Sequence, residues 1–345
     1  MENKIFRYYA VAVRGLEEVV ADELKAELPE VAQVHLERGK RQGRVFFAHR
    51  RSPRQLLALQ TPLSMGGVLA QVQGITVGGP GLERLLQQLA HFPLVAAQSL
   101  LRACEPESDA GLFQLSVTLQ GAHRFTKSEV VQRFQAQLGA RGLAPGQGRA
   151  LLRLHLQVDG ARALLGLQVG PNRADQCNGE GGIGGPLSAS LGRLLPANGD
   201  EVLLVLGCGQ QGAEALAASG SRAAVIALGE WRRGVSAAGV ALVRGLPEAL
   251  PAGGGAANLV LAAGLQSPFG AQLREVARVL HPGGVAALLA AESRPLAAML
   301  RASGEFFILA GLPINLNGRA LVLWMLERLE EPAALLQIAG AGANG

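Results

Sequence analysis

The stretch Asp200–Gly212, DEVLLVLGCGQQG, most restricts what this chain can become. An unbroken apolar run, Val202–Leu206, has the composition of a strand buried on both faces. It breaks into Gly207, Gly209 and Gly212 just before the alanine-rich segment Ala213–Ala218. The pattern predicts strand, glycine turn and helix, the opening unit of a parallel α/β sheet. In such a unit the glycines let the backbone approach a ligand, and free N–H groups at the helix start face its polar part. An ordinary tight turn needs glycine too, so the motif alone does not decide the matter.

The residues after Gly212 support the parallel reading. Strands are predicted at Ala223–Leu228, Ala241–Val243, Asn258–Ala262 and Val285–Ala290, separated by helical patterns at Trp231–Ala238 and Ala271–Leu280. A helix at Arg294–Ala302 and two closing strands, Glu305–Ala310 and Ala320–Glu327, complete the order. Repeated β-α units imply a parallel sheet with helices on both faces.

The first half is of another kind. A strand over Tyr8–Val13 leads into LEEVVADELKAEL, where Leu16, Val20, Leu24 and Leu28 repeat at helical spacing. Strands at Ala32–Leu36 and Arg44–Phe47 then make the order β-α-β-β, half of a ferredoxin-like unit. A short helix is predicted over Ser52–Gln60, a strand over Val68–Val77 and a helix over Gly81–Leu89. LFQLSVTLQG alternates as a half-buried strand, Ser128–Leu138 is helical, and Leu151–Val158 and Ala163–Val169 are paired around Asp159–Gly160.

Charge separates the halves. The formal net charge is +5, yet residues 1–175 carry about six more basic than acidic side chains and the remainder is nearly neutral. Arg38, Lys40, Arg41, Arg44, Arg50, Arg51 and Arg54 form the densest basic cluster, of a kind that counters phosphates or simply makes a solvated face. The three cysteines, Cys104, Cys177 and Cys208, are widely spaced and give no basis for a disulfide framework or a metal site. No window offers about 18 uninterrupted apolar residues, so no membrane span is expected. The opening MENKIFRYYAVAVRG lacks a signal-peptide core, which makes the cytoplasm the expected compartment.

Several phrases resemble known families. GAHRFTKSEVVQRF followed by LLRLHLQVDG and RALLGLQVG resembles a THUMP domain, and RYYAVAVRGLEEVVADEL with GRVFF resembles the ferredoxin-like segment that accompanies it. Arg278-Val279-Leu280-His281-Pro282-Gly283-Gly284 resembles a turn frequent in class I S-adenosylmethionine-dependent methyltransferases, which also carry a glycine turn like Gly207-Cys208-Gly209. The resemblance implies an α/β fold: a Rossmann-like class I methyltransferase domain preceded by an α+β ferredoxin-like/THUMP region. It divides the chain into a ferredoxin-like segment (1–60), a THUMP-like region (61–171), a linker (172–185), the methyltransferase domain (186–330) and a tail (331–345).

The same resemblance implies an activity and its residues. It points to an RNA methyltransferase, a guanine-N2 enzyme acting on tRNA with S-adenosylmethionine as donor, sometimes with a small activator subunit. Gly207, Cys208, Gly209, Gly212 and Glu230 would bind the donor. Gln266, Ser267, Pro268 and Phe269 stand where such enzymes hold an exocyclic amine and stack the base. Arg38, Lys40, Arg41, Arg124, Lys127 and Arg133 would contact RNA phosphates. The chain departs from the family pattern at Val205 and Arg244, where carboxylates are usual, and at Gln266, where a shorter side chain is usual. A THUMP protein with a degenerate catalytic half is therefore an alternative. A nicotinamide-dependent oxidoreductase is another, because Gly207-x-Gly209-x-x-Gly212 with Glu230 downstream has the dinucleotide spacing.

Overall fold

The computed structural model describes residues 6–39, 42–50, 53–148, 151–173, 183, 185–195, 201–207, 210–218, 224–229, 240–263, 269–291, 294–316 and 318–330. In the first half these form β1 (Phe6–Val13), α1 (Glu17–Glu27), β2 (Ala32–Arg38), β3 (Gln42–His49) and a 3-10 turn at Pro53–Ala58. Then come β4 (Ser64–Gln73), α2 (Gly79–Ala90), α3 (Leu94–Cys104), β5 (Asp109–Gln120), α4 (Lys127–Ala140), β6 (Ala144–Pro145), β7 (Leu151–Asp159) and β8 (Arg162–Val169). They build one sheet in the order β2-β3-β1-β4-β8-β7-β5-β6. Residues 1–60 and 61–171 share this sheet because β1 pairs with β4, Tyr9 opposite Gly66.

Strand alternation sorts the side chains of this sheet. Tyr8, Ala10 and Ala12 of β1, Val45 and Phe47 of β3, and Leu152, Leu154 and Leu156 of β7 join one core with residues from all four helices. The capping box that starts α4 is complete: Thr126 accepts from the Glu129 amide at 3.2 Å, and the Glu129 carboxylate accepts from the Thr126 amide at 2.6 Å. Among the described residues, no helix of this half packs on the opposite sheet face, with Tyr9, Arg44, His155 and Gln157.

The second half comprises α5 (Gly185–Leu194), β9 (Val202–Leu206), α6 (Gln210–Ala218), β10 (Ala224–Gly229), β11 (Val240–Arg244), β12 (Ala257–Ala263) and α7 (Gly270–Val279). It closes with β13 (Leu280–Ala291), α8 (Arg294–Ala302), β14 (Phe306–Leu316) and β15 (Arg319–Arg328). The strand order is β11-β10-β9-β12-β13-β15-β14, and β15 runs antiparallel to both neighbours. Alternate residues of β9 enter two cores: Leu203 and Val205 pack with α5 and α6, while Leu204 and Leu206 pack with α7 and α8. This is the Rossmann-like methyltransferase architecture with its reversed final strand pair.

Two strand ends of the second half differ most from the sequence reading. β13 begins at Leu280, which pairs with Ala257; the His281–Gly284 turn, with Gly283 at φ +77°, bulges out of the ladder, and pairing resumes at Val285 opposite Leu259. β14 continues past Ala310 through Pro313 to Leu316. It is the edge of the sheet, where a residue without an N–H is tolerated.

The two halves meet through α1 and the end of β1. Val13, Leu16 and Val19 join a core with Leu187 and Leu191 of α5 and Ile314 of β14. The Asn315 amide donates to the Arg14 carbonyl at 3.2 Å, and Gly15, at φ +97°, lies so close to the Pro313 carbonyl that a Cβ there would overlap it.

Candidate functional site

Strand order reverses between β9 and β12: β10 and β11 extend the sheet to one side, and β12 and β13 to the other. Ligands of open parallel sheets bind outside the carboxyl ends at such a switch point. Gly207 occupies that position at the end of β9. Its φ is +65°, a conformation costly for any side chain, and a Cβ there would overlap the carbonyl oxygen of Ala263 at the end of β12. Glycine is required here on both counts.

Ile183, just ahead of α5, bonds to this turn. The Ile183 amide donates to the Gly207 carbonyl at 3.3 Å, and the Ile183 carbonyl accepts from the buried Ser188 hydroxyl at 3.2 Å. Gly212 is buried in the first turn of α6, whose amino end follows Gly207 at the switch point. Cys208, Gly209 and Glu230 lie outside the described residues, as do Gln266, Ser267 and Pro268. Phe269 immediately precedes α7, and its half-buried ring packs on the core beside α7 and α8. Val205 is fully buried in the other core.

The His281–Gly284 phrase lies at the opposite, amino end of the parallel strands. A Cβ on Gly284 would come 2.7 Å from the Asn258 carbonyl at the start of β12. Asn258 in turn accepts from the Val202 amide, at the start of β9, at 3.1 Å. This turn and its arginine are structural. Arg278 donates to the Ala252 and Leu250 carbonyls and to Glu275, holding the loop before β12 against α7.

The basic residues singled out in the first half do not form one patch. Arg124 and Lys127 are exposed at the start of α4, and Arg133 on the same helix makes a two-pronged pair with Glu83 of α2 at 2.6 and 2.9 Å. That guanidinium holds the Glu83 carboxyl below the usual range. Arg38 pairs with Glu18 at 3.1 Å on the β2 edge. Six inter-strand steps, about 29 Å, separate β2 from the β5 that α4 covers. Lys40 and Arg41 lie outside the described residues.

Alternation puts Arg44 on the open sheet face, where it donates to the Gln157 side chain and lies 3.9 Å from Glu37. Beside it are Tyr9, His155 and Gln168, which the sequence reading did not single out. Their signal is the polar phase of β7, Arg153, His155 and Gln157, opposite a leucine phase. Among the described residues no three His, Cys, Asp or Glu side chains are placed to hold a metal ion. No described helix is long and apolar enough to cross a membrane.

No protein-family model matches the chain, and a search of curated proteins finds no match. Solved structures do match over nearly the whole length. TrmN from Thermus thermophilus is similar with a TM-score of 0.68 and 22% identity, covering 94% of this chain and 100% of that one. SMU.472, a methyltransferase by provisional assignment and solved with SAH, gives 0.63 and 12% identity, over 94% and 98%. A Listeria monocytogenes protein, named by prediction an N6-adenine-specific DNA methylase, gives 0.62 and 12%, over 93% and 96%. At these identities the likeness is one of fold, and it extends through both halves.

Proposed function

We propose that this chain is an S-adenosylmethionine-dependent RNA methyltransferase, with the guanine-N2 position of a tRNA as its target. The observation that carries the reading is Gly207 at the switch point of a sheet with a reversed final strand pair. The first half, with its basic excess, would hold the RNA.

S-adenosylmethionine supplies an electrophilic methyl group on a sulfonium. Gly207, whose Cβ position is taken up by the Ala263 carbonyl, turns the chain at the switch point, and the amino end of α6 would offer N–H groups to the polar end of the donor. Cys208, Gly209 and Gly212 would complete that cradle, and Glu230 would accept from the ribose hydroxyls. On the acceptor side the Gln266 amide would orient an exocyclic amine, Ser267 and Pro268 would shape the loop, and the uncovered part of the half-buried Phe269 ring would stack on the base. In-line transfer demands this positioning more than it demands a strong base.

A degenerate, RNA-binding relative is the second reading, and one observation favours it. The described carboxyl ends of β9, β11 and β12 present Gly207, Arg244 and Ala263, and no acid. The antiparallel β15 argues against a nicotinamide enzyme, whose dinucleotide sheet continues parallel.

Calorimetry with S-adenosylmethionine, followed by transfer of a labelled methyl group to total tRNA with a candidate activator subunit supplied, tests the proposal. Saturable binding with label in a guanosine is expected. A folded chain that binds no donor leaves the degenerate reading.

A further inference from the structure

The open face of the first sheet holds a cavity of about 180 Å³ that methyl transfer does not use. Its floor is Tyr9, whose ring lies across Gly66 of β4 and Gly166 of β8; a Cβ at either glycine would run into the ring. Tyr9 is 7% exposed, and its hydroxyl lines the cavity with no hydrogen-bond partner among the described residues. A tyrosine hydroxyl this deep ordinarily has one. Burial pushes its pKa up to about 12, against a smaller downward pull from Arg44, so at neutral pH the group is a donor.

The walls are polar and almost neutral. Ser116 and Thr118 of β5 bring hydroxyls, and Gln157 of β7 brings an amide. His155 Nε2 lies 2.8 Å from Gln168 Oε1, and Gln168 Nε2 donates to the Gly170 carbonyl at 2.9 Å. The one guanidinium, Arg44, is matched by Gln157 and Glu37. Such a lining does not select a phosphate. It offers donors and acceptors to a neutral heterocycle with a polar edge, the chemistry of a nucleobase.

A second groove continues the first, sharing Arg44, Gln157 and Leu164 and extending to Phe46, Gln71 and Arg162. Successive pockets with an aromatic floor and an exposed arginine beyond suit successive nucleotides of an unpaired strand, since bases inside an A-form duplex are out of reach. The cavity is bordered by Val11 and Leu63, which pack on the second half. Just beyond, Arg14 bonds Asn315 at the end of β14. Because β14 runs parallel to β9 and β12, this junction lies at the same end of the second sheet as Gly207. Only three inter-strand steps, about 14 Å, separate β14 from β12.

We propose that the open face of the first sheet is a track for single-stranded RNA, with one unstacked base seated over Tyr9 between Gln157 and His155. The inference rests on the RNA reading and places the strand on the sheet, away from α4. Fluorescence anisotropy with labelled oligouridine and oligoadenosine of about ten nucleotides, against a blunt RNA duplex, tests it on the whole chain. Single strands should bind better than the duplex. The double variant Gln157→Ala/His155→Ala should weaken them about tenfold or more, and Tyr9→Phe severalfold, as expected for lost base contacts.

Unchanged affinity in a double variant that melts like the parent overturns the track, as does equal competition by free mononucleotides. If the variant fails to fold, crosslinking of 4-thiouridine oligomers to the unaltered chain decides. Adducts in β1, β7 or β8 support the track; adducts confined to α4 or to the second half overturn it. A chain that methylates RNA yet shows no track effect loses this inference and keeps its activity. One that binds oligomers through the track but transfers no methyl group keeps the inference and loses the activity.

Discussion

Gly207 and Ala263 face each other at the carboxyl ends of β9 and β12, so close that a Cβ on Gly207 would overlap the Ala263 carbonyl oxygen. Gly207→Ala must therefore either leave φ +65° or part the two strands. The substitution should lower unfolding free energy by about 1–3 kcal/mol. It should also weaken S-adenosylmethionine by about tenfold or more, because the parted strands are the floor of the proposed site. Urea unfolding and calorimetry read the two effects. Unimpaired donor binding would remove this turn from the site.

Glu23 of α1 is a buried carboxylate joining the two halves. It accepts from the Gln60 and Thr61 amides at 2.9 Å each, from the Thr61 hydroxyl, and from Arg193 of α5 at 3.3 Å. Glu23→Ala leaves those donors without an acceptor and should cost about 3–5 kcal/mol. Arg193→Ala should cost less, since three donors still satisfy the carboxylate. Thermal unfolding of both variants checks the order; equal losses would mean that the guanidinium dominates.

Arg278 makes four bonds: one to the Ala252 carbonyl at 2.7 Å, one to the Leu250 carbonyl at 2.9 Å, and two to Glu275 at 2.9 and 2.8 Å. A lysine ammonium is a point donor and does not span this fork. Arg278→Lys should cost about 1–3 kcal/mol and speed hydrogen exchange of the loop before β12, with that of β9 unchanged. Exchange measured by mass spectrometry separates the two segments, and an unchanged loop would refute the clamp.

Local pattern shows most elements of this chain, and non-local pairing shows in no local pattern. Thr126-x-x-Glu129 marks the start of α4, and Val202–Leu206 reads as buried because both faces of β9 are covered. The sequence predicts β4 from Val68, whereas the strand begins at Ser64, because Gly66 and Gly67 read as breakers. Gly66 is a glycine for a tertiary reason, the Tyr9 ring lying on it. For the same reason the open sheet face shows in the sequence only as the polar phase of β7: Tyr9, Gln157 and Gln168 come from strands that meet only after folding. The glycine turn is legible as a site because its requirement is local, whereas the Ala263 carbonyl that enforces it lies 56 residues away.

Acid should loosen the helices of both halves in a defined window. Glu83 is held below the ordinary carboxylate value of 4.5 by Arg133, Glu129 by the Thr126 amide and hydroxyl, and Glu275 by Arg278 and the Leu250 amide. A depressed folded-state pKa means that the unfolded chain binds the proton first, so the stabilisation is fully present above pH 4.5 and is lost as pH falls through the lowered folded values. Glu83 and Glu129 are exposed and Glu275 is partly buried, its side chain 19% exposed, so the shares of the first two are modest and shrink with salt. Urea unfolding should therefore be insensitive to these groups between pH 7 and about 5 and weaken below about 4.5. Glu129→Gln keeps the size of the capping side chain without its charge, and should flatten that acid slope while lowering stability at pH 7. An unchanged slope would mean that Glu129 titrates alike in the folded and unfolded chain.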